Sequence, residues 1–113
     1  MRRPAYGCGL EAALDVVGGK WKPIVLWRLA PGPRRFGELR RLVTGISEKM
    51  LIQQLREMEA DGIVTRKDYR EVPPRVEYSL TRFGVSLCDA VRPLCAWGDE
   101  HMKRIAKTKT HAV

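Results

Sequence analysis

A chain of 113 residues has room for one domain around a single core, and its 44% hydrophobic content excludes a disordered polypeptide. The formal charge of +8 suggests a polyanionic partner, but six cations (Arg2, Arg3, Lys103, Arg104, Lys107, Lys109) sit at the termini, and Arg34 to Arg75 carries ten basic against seven acidic residues. Apolar runs such as Ile24 to Trp27 are far short of a bilayer span, and Arg2-Arg3 lead into a polar stretch and not a signal core, so a cytoplasmic, non-membrane protein is expected.

Leu10, Ala13, Leu14 and Val17 recur at helical spacing, and Gly18-Gly19 ends that helix. A second helix is predicted from about Trp21, with Pro23 in its first turn, where a missing N–H is harmless. Trp21, Ile24, Val25, Leu26, Trp27 and Leu29 make it apolar around most of its girth, so it should be buried. Pro31-Gly32-Pro33 stops it. A short helix follows over Arg35 to Leu42, with Phe36, Leu39 and Leu42 inward, then a Thr44-Gly45 turn. Ser47 is the predicted N-cap of a helix running to about Asp61, with Gly62 beyond its end. Two helices about a tight turn give a helix-turn-helix over about 35–61.

The period then changes from 3.6 to 2. Ile63-Val64-Thr65 reads as one strand, and Val76, Tyr78 and Leu80 alternate with polar residues as a second. Between them, Asp68 to Pro74 ends in Val72-Pro73-Pro74, expected to be stiff and extended at a hairpin tip. A hairpin placed there, over about 63–80, is a wing. A long helix is predicted from about 82 to 107, kinked at Pro93, with Leu87, Val91, Leu94, Gly98, Met102 and Ile105 spaced like a coiled-coil seam. The expected fold is therefore mainly α with a small β-hairpin (α+β), a winged helix-turn-helix in one domain.

On a wheel of 100° per residue, Leu51, Leu55 and Met58 fall together and face the core, while Lys49, Gln53, Arg56 and Ala60 lie opposite, with Met50 and Ile52 flanking. Arg, Gln and Lys are side chains that read guanine, adenine and guanine or phosphate in a major groove. Ser47, at the helix N-terminus, suits a phosphate. Glu48 and Glu57 are acidic residues near the same surface, so the N-terminal half of the helix should enter the groove. Lys67, Arg70 and Arg75 flank the wing tip as minor-groove candidates, and Arg34 and Arg35 are backbone candidates.

Three cysteines, Cys8, Cys88 and Cys95, form no CxxC pair, and neither His101 nor His111 completes a zinc spacing. No disulfide framework, metal or cofactor is expected. With no nucleophile–base pair or carboxylate dyad visible, the chain does not read as an enzyme. Cys88 and Cys95, seven apart, read as small core or interface residues; Trp21, Trp27 and Trp97 read as core or dimer packing, and His101 as exposed or dimer-facing.

Several segments resemble the HxlR-type transcriptional regulators: Gly18-Gly19-Lys20-Trp21, Arg34 to Leu39, Gly45 to Leu51, Gln54 to Gly62, Val72 to Thr81, and Trp97-Gly98. Their shared order across Cys8 to Trp97 makes the resemblance specific. It implies a winged helix related to MarR-type regulators and binding of double-stranded DNA at a palindromic operator. It also implies a homodimer through the first and last helices, with Leu10, Leu14, Leu87, Val91, Leu94, Cys95 and Trp97 at the interface. Cys8 stands where many members carry an N-terminal cysteine, which in some senses oxidants or electrophiles. Those members often follow it with proline and this chain with Gly9, so a sensor and an inert thiol both stay open, as does a small-molecule or oxidant effector. The alternative is a winged-helix protein-interaction module without DNA binding; Lys49, Gln53, Arg56 and Arg75 argue against it.

Overall fold

Helices and short strands follow in the order α1 (Gly9–Val17), α2 (Trp21–Leu29), β1 (Arg34–Arg35), α3 (Phe36–Leu42), α4 (Glu48–Ala60), β2 (Val64–Asp68), β3 (Val76–Leu80) and α5 (Arg82–Thr110). The computed structural model describes residues 6–110, so Arg2, Arg3 and His111 lie outside the described residues. The architecture is mainly helical with one small antiparallel sheet, a winged helix-turn-helix.

The core gathers around α2. Its Val25, Leu26 and Leu29 are buried, and Trp21, Ile24 and Trp27 pack half-buried against the same cluster. Leu39 of α3, Val43 and Ile46 of the following turn, Leu51, Leu55 and Met58 of α4, Ile63, Val64 and Cys88 complete it. Full burial of such a side chain contributes about 1.5–3 kcal/mol. The three from α4 therefore fix how that helix is rolled, and with it which face looks outward.

Both ends of α4 form as the local sequence predicts. Ser47 is its N-cap, and the Ser47 hydroxyl oxygen accepts the Met50 N–H at 3.0 Å. At the other end Gly62 has φ +77, a left-handed conformation that disfavours a side chain. There the Gly62 N–H donates to the Glu59 carbonyl at 3.0 Å and Ile63 N–H to the Met58 carbonyl at 2.9 Å. This Schellman pair satisfies the last carbonyls and turns the chain into β2.

The sheet corrects the sequence reading in three ways. Its order is β1-β3-β2, so Arg34 and Arg35 form a third strand on β3. The expected strand Ile63 to Thr65 begins one residue later and reaches Asp68, because Lys67 and Asp68 pair with Glu77 and Val76. Ladder bonds to a partner strand outweigh the polar composition that suggested a loop. The tip bends at Val72 and Pro73, where an extended segment is expected.

α5 is one helix of 29 residues with Pro93 inside it. Cys88 is buried, and Leu87 and Val91 pack half-buried against the core. Beyond them the apolar residues emerge, with Leu94 66%, Trp97 55% and Met102 58% exposed. Cys95 is half-buried. His101 stacks on Trp97 at 4.7 Å, and its Nδ1 lies 2.9 Å from the Trp97 carbonyl.

Candidate nucleic-acid interface

Burying Leu51, Leu55 and Met58 turns Lys49, Ile52, Gln53 and Arg56 outward on α4. With Glu48 and Glu57 they line one surface hollow of about 700 Å³. Lys49 and Arg56 are exposed, and among the described residues neither side chain has a hydrogen-bond or ion-pair partner. Ser47 keeps its hydroxyl hydrogen free to donate, because its oxygen is the acceptor in the cap. Met50 departs from the expected set: it packs half-buried against the core, and its sulfur accepts from Gln54 Nε2 at 3.3 Å.

Both acidic residues of this surface are paired. Glu48 accepts from Arg40 Nη1 at 3.4 Å, bridging α4 to α3. Glu57 binds Lys22 of α2 through Oε1 and accepts from Gln53 Nε2 at 3.2 Å through Oε2. The Lys22 ammonium, then the Gln53 amide, hold the Glu57 carboxyl below its ordinary value. Local neutralisation removes the repulsion that two free carboxylates would offer a phosphate backbone.

The wing presents a second cationic surface. In antiparallel pairing, directly opposed residues share a face. Arg35 and Lys67 both oppose Glu77 from opposite sides, so two cations flank one carboxylate on that face. Tyr69 organises the rest. Its hydroxyl donates to Glu77 Oε1 at 3.0 Å, and its ring carries Arg75 at 3.6 Å and Lys67 at 4.6 Å. Arg75 also lies 3.6 Å from both Glu71 and Glu77, so its guanidinium is tied into the wing. Arg66 and Arg70 are exposed. Arg34 is half-buried and its Nε donates to the Arg28 carbonyl at 2.9 Å, capping the end of α2, whereas Arg35 is exposed.

Sequence reasoning missed Lys22, Arg66 and Tyr69. Period 2 places Lys67 and Tyr69 on one face, but the Arg75 contact needs the hairpin register. Nothing in the local pattern joins Lys22 to Glu57.

The helix pair α3–α4 and its stranded wing define a winged helix-turn-helix protein. Residues 16–106 match the family described as HxlR-like helix-turn-helix. The chain belongs to that family and is an HxlR-type transcriptional regulator. The Bacillus subtilis HTH-type transcriptional regulator YtcD is 49% identical, over 93% of this chain and 83% of its own length. The redox regulator HypR in its reduced form is similar with a TM-score of 0.82 and 46% identity, covering 88% of this chain and 99% of that one. The oxidized form of HypR gives 0.78 and 50%, covering 82% and 96%. Among the described residues, no helix is long and apolar enough to cross a membrane.

Proposed function

We propose that this regulator binds double-stranded DNA as a cytoplasmic homodimer, inserting α4 of each copy into successive major grooves of a palindromic operator. One observation carries the reading: Lys49, Gln53 and Arg56 project from the face of α4 opposite its buried Leu51, Leu55 and Met58. Ser47, Arg35, Lys67 and Arg70 meet phosphates, and Arg75 shapes the wing that carries two of them. The whole chain acts as one unit of helix-turn-helix, wing and terminal dimer helix, without catalysis.

Pairing of two copies through α1 and α5 is supported by the apolar surface those helices leave uncovered, notably Leu10, Leu14, Leu94 and Trp97. Leu87, Val91 and Cys95 border it from the core side. Cys8, exposed at the start of α1, is the thiol through which an oxidant or electrophile would shift that pairing. The likeness to the redox regulator HypR supports this role.

Selection of bound sequences from random duplexes, with and without a thiol oxidant, tests the reading. The expected product is a palindrome with half-sites about 34–36 Å apart, and log K falls with log salt by about 0.9 for each phosphate contacted. Gln53→Ala and Arg56→Ala relax base preference within each half-site. No enriched sequence, or a preference untouched by both variants, would refute it.

A further inference from the structure

Of Lys49, Gln53 and Arg56 on the outer face of α4, only Gln53 has a side-chain partner among the described residues, and that partner decides which way its amide points. Glu57 is a carboxylate and accepts only, so the atom facing it at 3.2 Å must be the Gln53 nitrogen. Its Oε1 then points away from Glu57, with no partner among the described residues, on an exposed side chain. The other oxygen of Glu57 is held by Lys22 from α2, an element of the core, so the carboxylate is itself positioned. At neutral pH Glu57 is a carboxylate, a form that the Lys22 ammonium and then the Gln53 amide favour further, so it cannot donate and reverse the amide.

We infer that the Lys22–Glu57 pair sets the base specificity of Gln53 by presenting its carbonyl oxygen to the groove as an acceptor. This rests on the DNA-binding reading and deepens it. A fixed outward acceptor takes an amino hydrogen, from adenine N6 or cytosine N4, and meets repulsion from guanine O6 or thymine O4. Adenine is favoured of the two, because its N7 accepts the remaining amide hydrogen. Glu57 is thus a positioning residue, acting on specificity without touching a base.

The test compares selected operators of wild type, Gln53→Ala, Glu57→Gln and the double variant Gln53→Glu with Glu57→Gln, each first shown to be folded by its thermal transition. The position where Gln53→Ala loses preference identifies the base read. There wild type selects an amino base, adenine before cytosine, on one strand, and a keto base on that strand weakens binding by about tenfold. Glu57→Gln leaves the Lys22 ammonium, a donor only, on the remaining oxygen at 57 and puts an amide nitrogen opposite Gln53, so the outward acceptor is lost and keto bases are admitted there with a penalty below about threefold. The double variant restores the amino preference, since a carboxylate at 53 again offers only acceptors.

A wild-type keto preference at that position, or an undiminished amino preference in folded Glu57→Gln, overturns the inference while leaving DNA binding intact. Failure of wild type to enrich any duplex overturns the DNA-binding reading itself.

Discussion

Gly84, near the start of α5, is where the wing and the last helix touch most closely. A Cβ there would lie 2.2 Å from the Ile63 carbonyl oxygen and 3.1 Å from its carbon. Ordinary contact begins near 3.5 Å, so one backbone or the other would have to retreat by roughly 1 Å. Ile63 O already accepts the Thr81 N–H at 3.0 Å, and Thr81 Oγ1 accepts the Gly84 N–H at 2.9 Å. Gly84→Ala therefore strains an anchored junction between the base of β2 and α5. Overpacking of this kind costs about 1–3 kcal/mol, and each weakened hydrogen bond about 1 kcal/mol more. Against this, alanine gains at most about 1 kcal/mol of helix propensity. The net expectation is a loss of about 2–4 kcal/mol, read as a lower urea midpoint at unchanged slope. Gly37→Ala is the control: its nearest neighbour is the flexible end of Arg41 at 3.8 Å, so it should be neutral or gain up to about 1 kcal/mol. A Gly84→Ala protein as stable as wild type would refute the close approach of α5 to Ile63.

In the wing, Tyr69→Leu and Arg75→Gln should both weaken DNA binding while leaving the slope of log K against log salt unchanged, because they loosen the cationic shelf without removing a phosphate contact. A slope shallower by about 0.9 in Arg75→Gln would instead mean that Arg75 touches a phosphate directly. For Glu57, whose folded pKa lies below its ordinary 4.5, the pairing with Lys22 stabilises the protein above that value and is lost as pH falls through the folded value. Acid unfolding of Lys22→Met should accordingly differ from wild type less below pH 4 than at neutrality; an equal difference at both would contradict the ion pair. Among the thiols, exposed Cys8 should alkylate in the native protein, whereas Cys88, buried and with its thiol pushed up by that burial, should react only on unfolding. Native-rate labelling of Cys88 in a mass spectrum would remove it from the core.

Several features were readable from the chain because their causes are local. The spacing of Leu51, Leu55 and Met58 rolls α4, Ser47 opens it, and Gly62 closes it, each through contacts within a few residues. Once the inner face is known, Lys49, Gln53 and Arg56 must lie outside. The apolar girth of α2 foretold its central place for the same reason.

What the sequence could not reveal depends on contacts that only the fold makes, several of them between residues far apart along the chain. Arg34 and Arg35 become a strand only because β3, more than 40 positions later, supplies their hydrogen-bond partners. Met50 looked like a flanking groove residue, yet its inward turn depends on the packing beneath it. Arg75 read as a minor-groove candidate flanking the wing tip, yet the folded hairpin gathers Tyr69, Glu71 and Glu77 around it. Lys22 and Glu57, 35 residues apart, meet where α2 passes beneath α4. Periodicity and capping determine which faces a helix offers. The partners of its charged groups depend on tertiary packing, since ion pairs and strand ladders form between whatever the fold brings within about 4 Å.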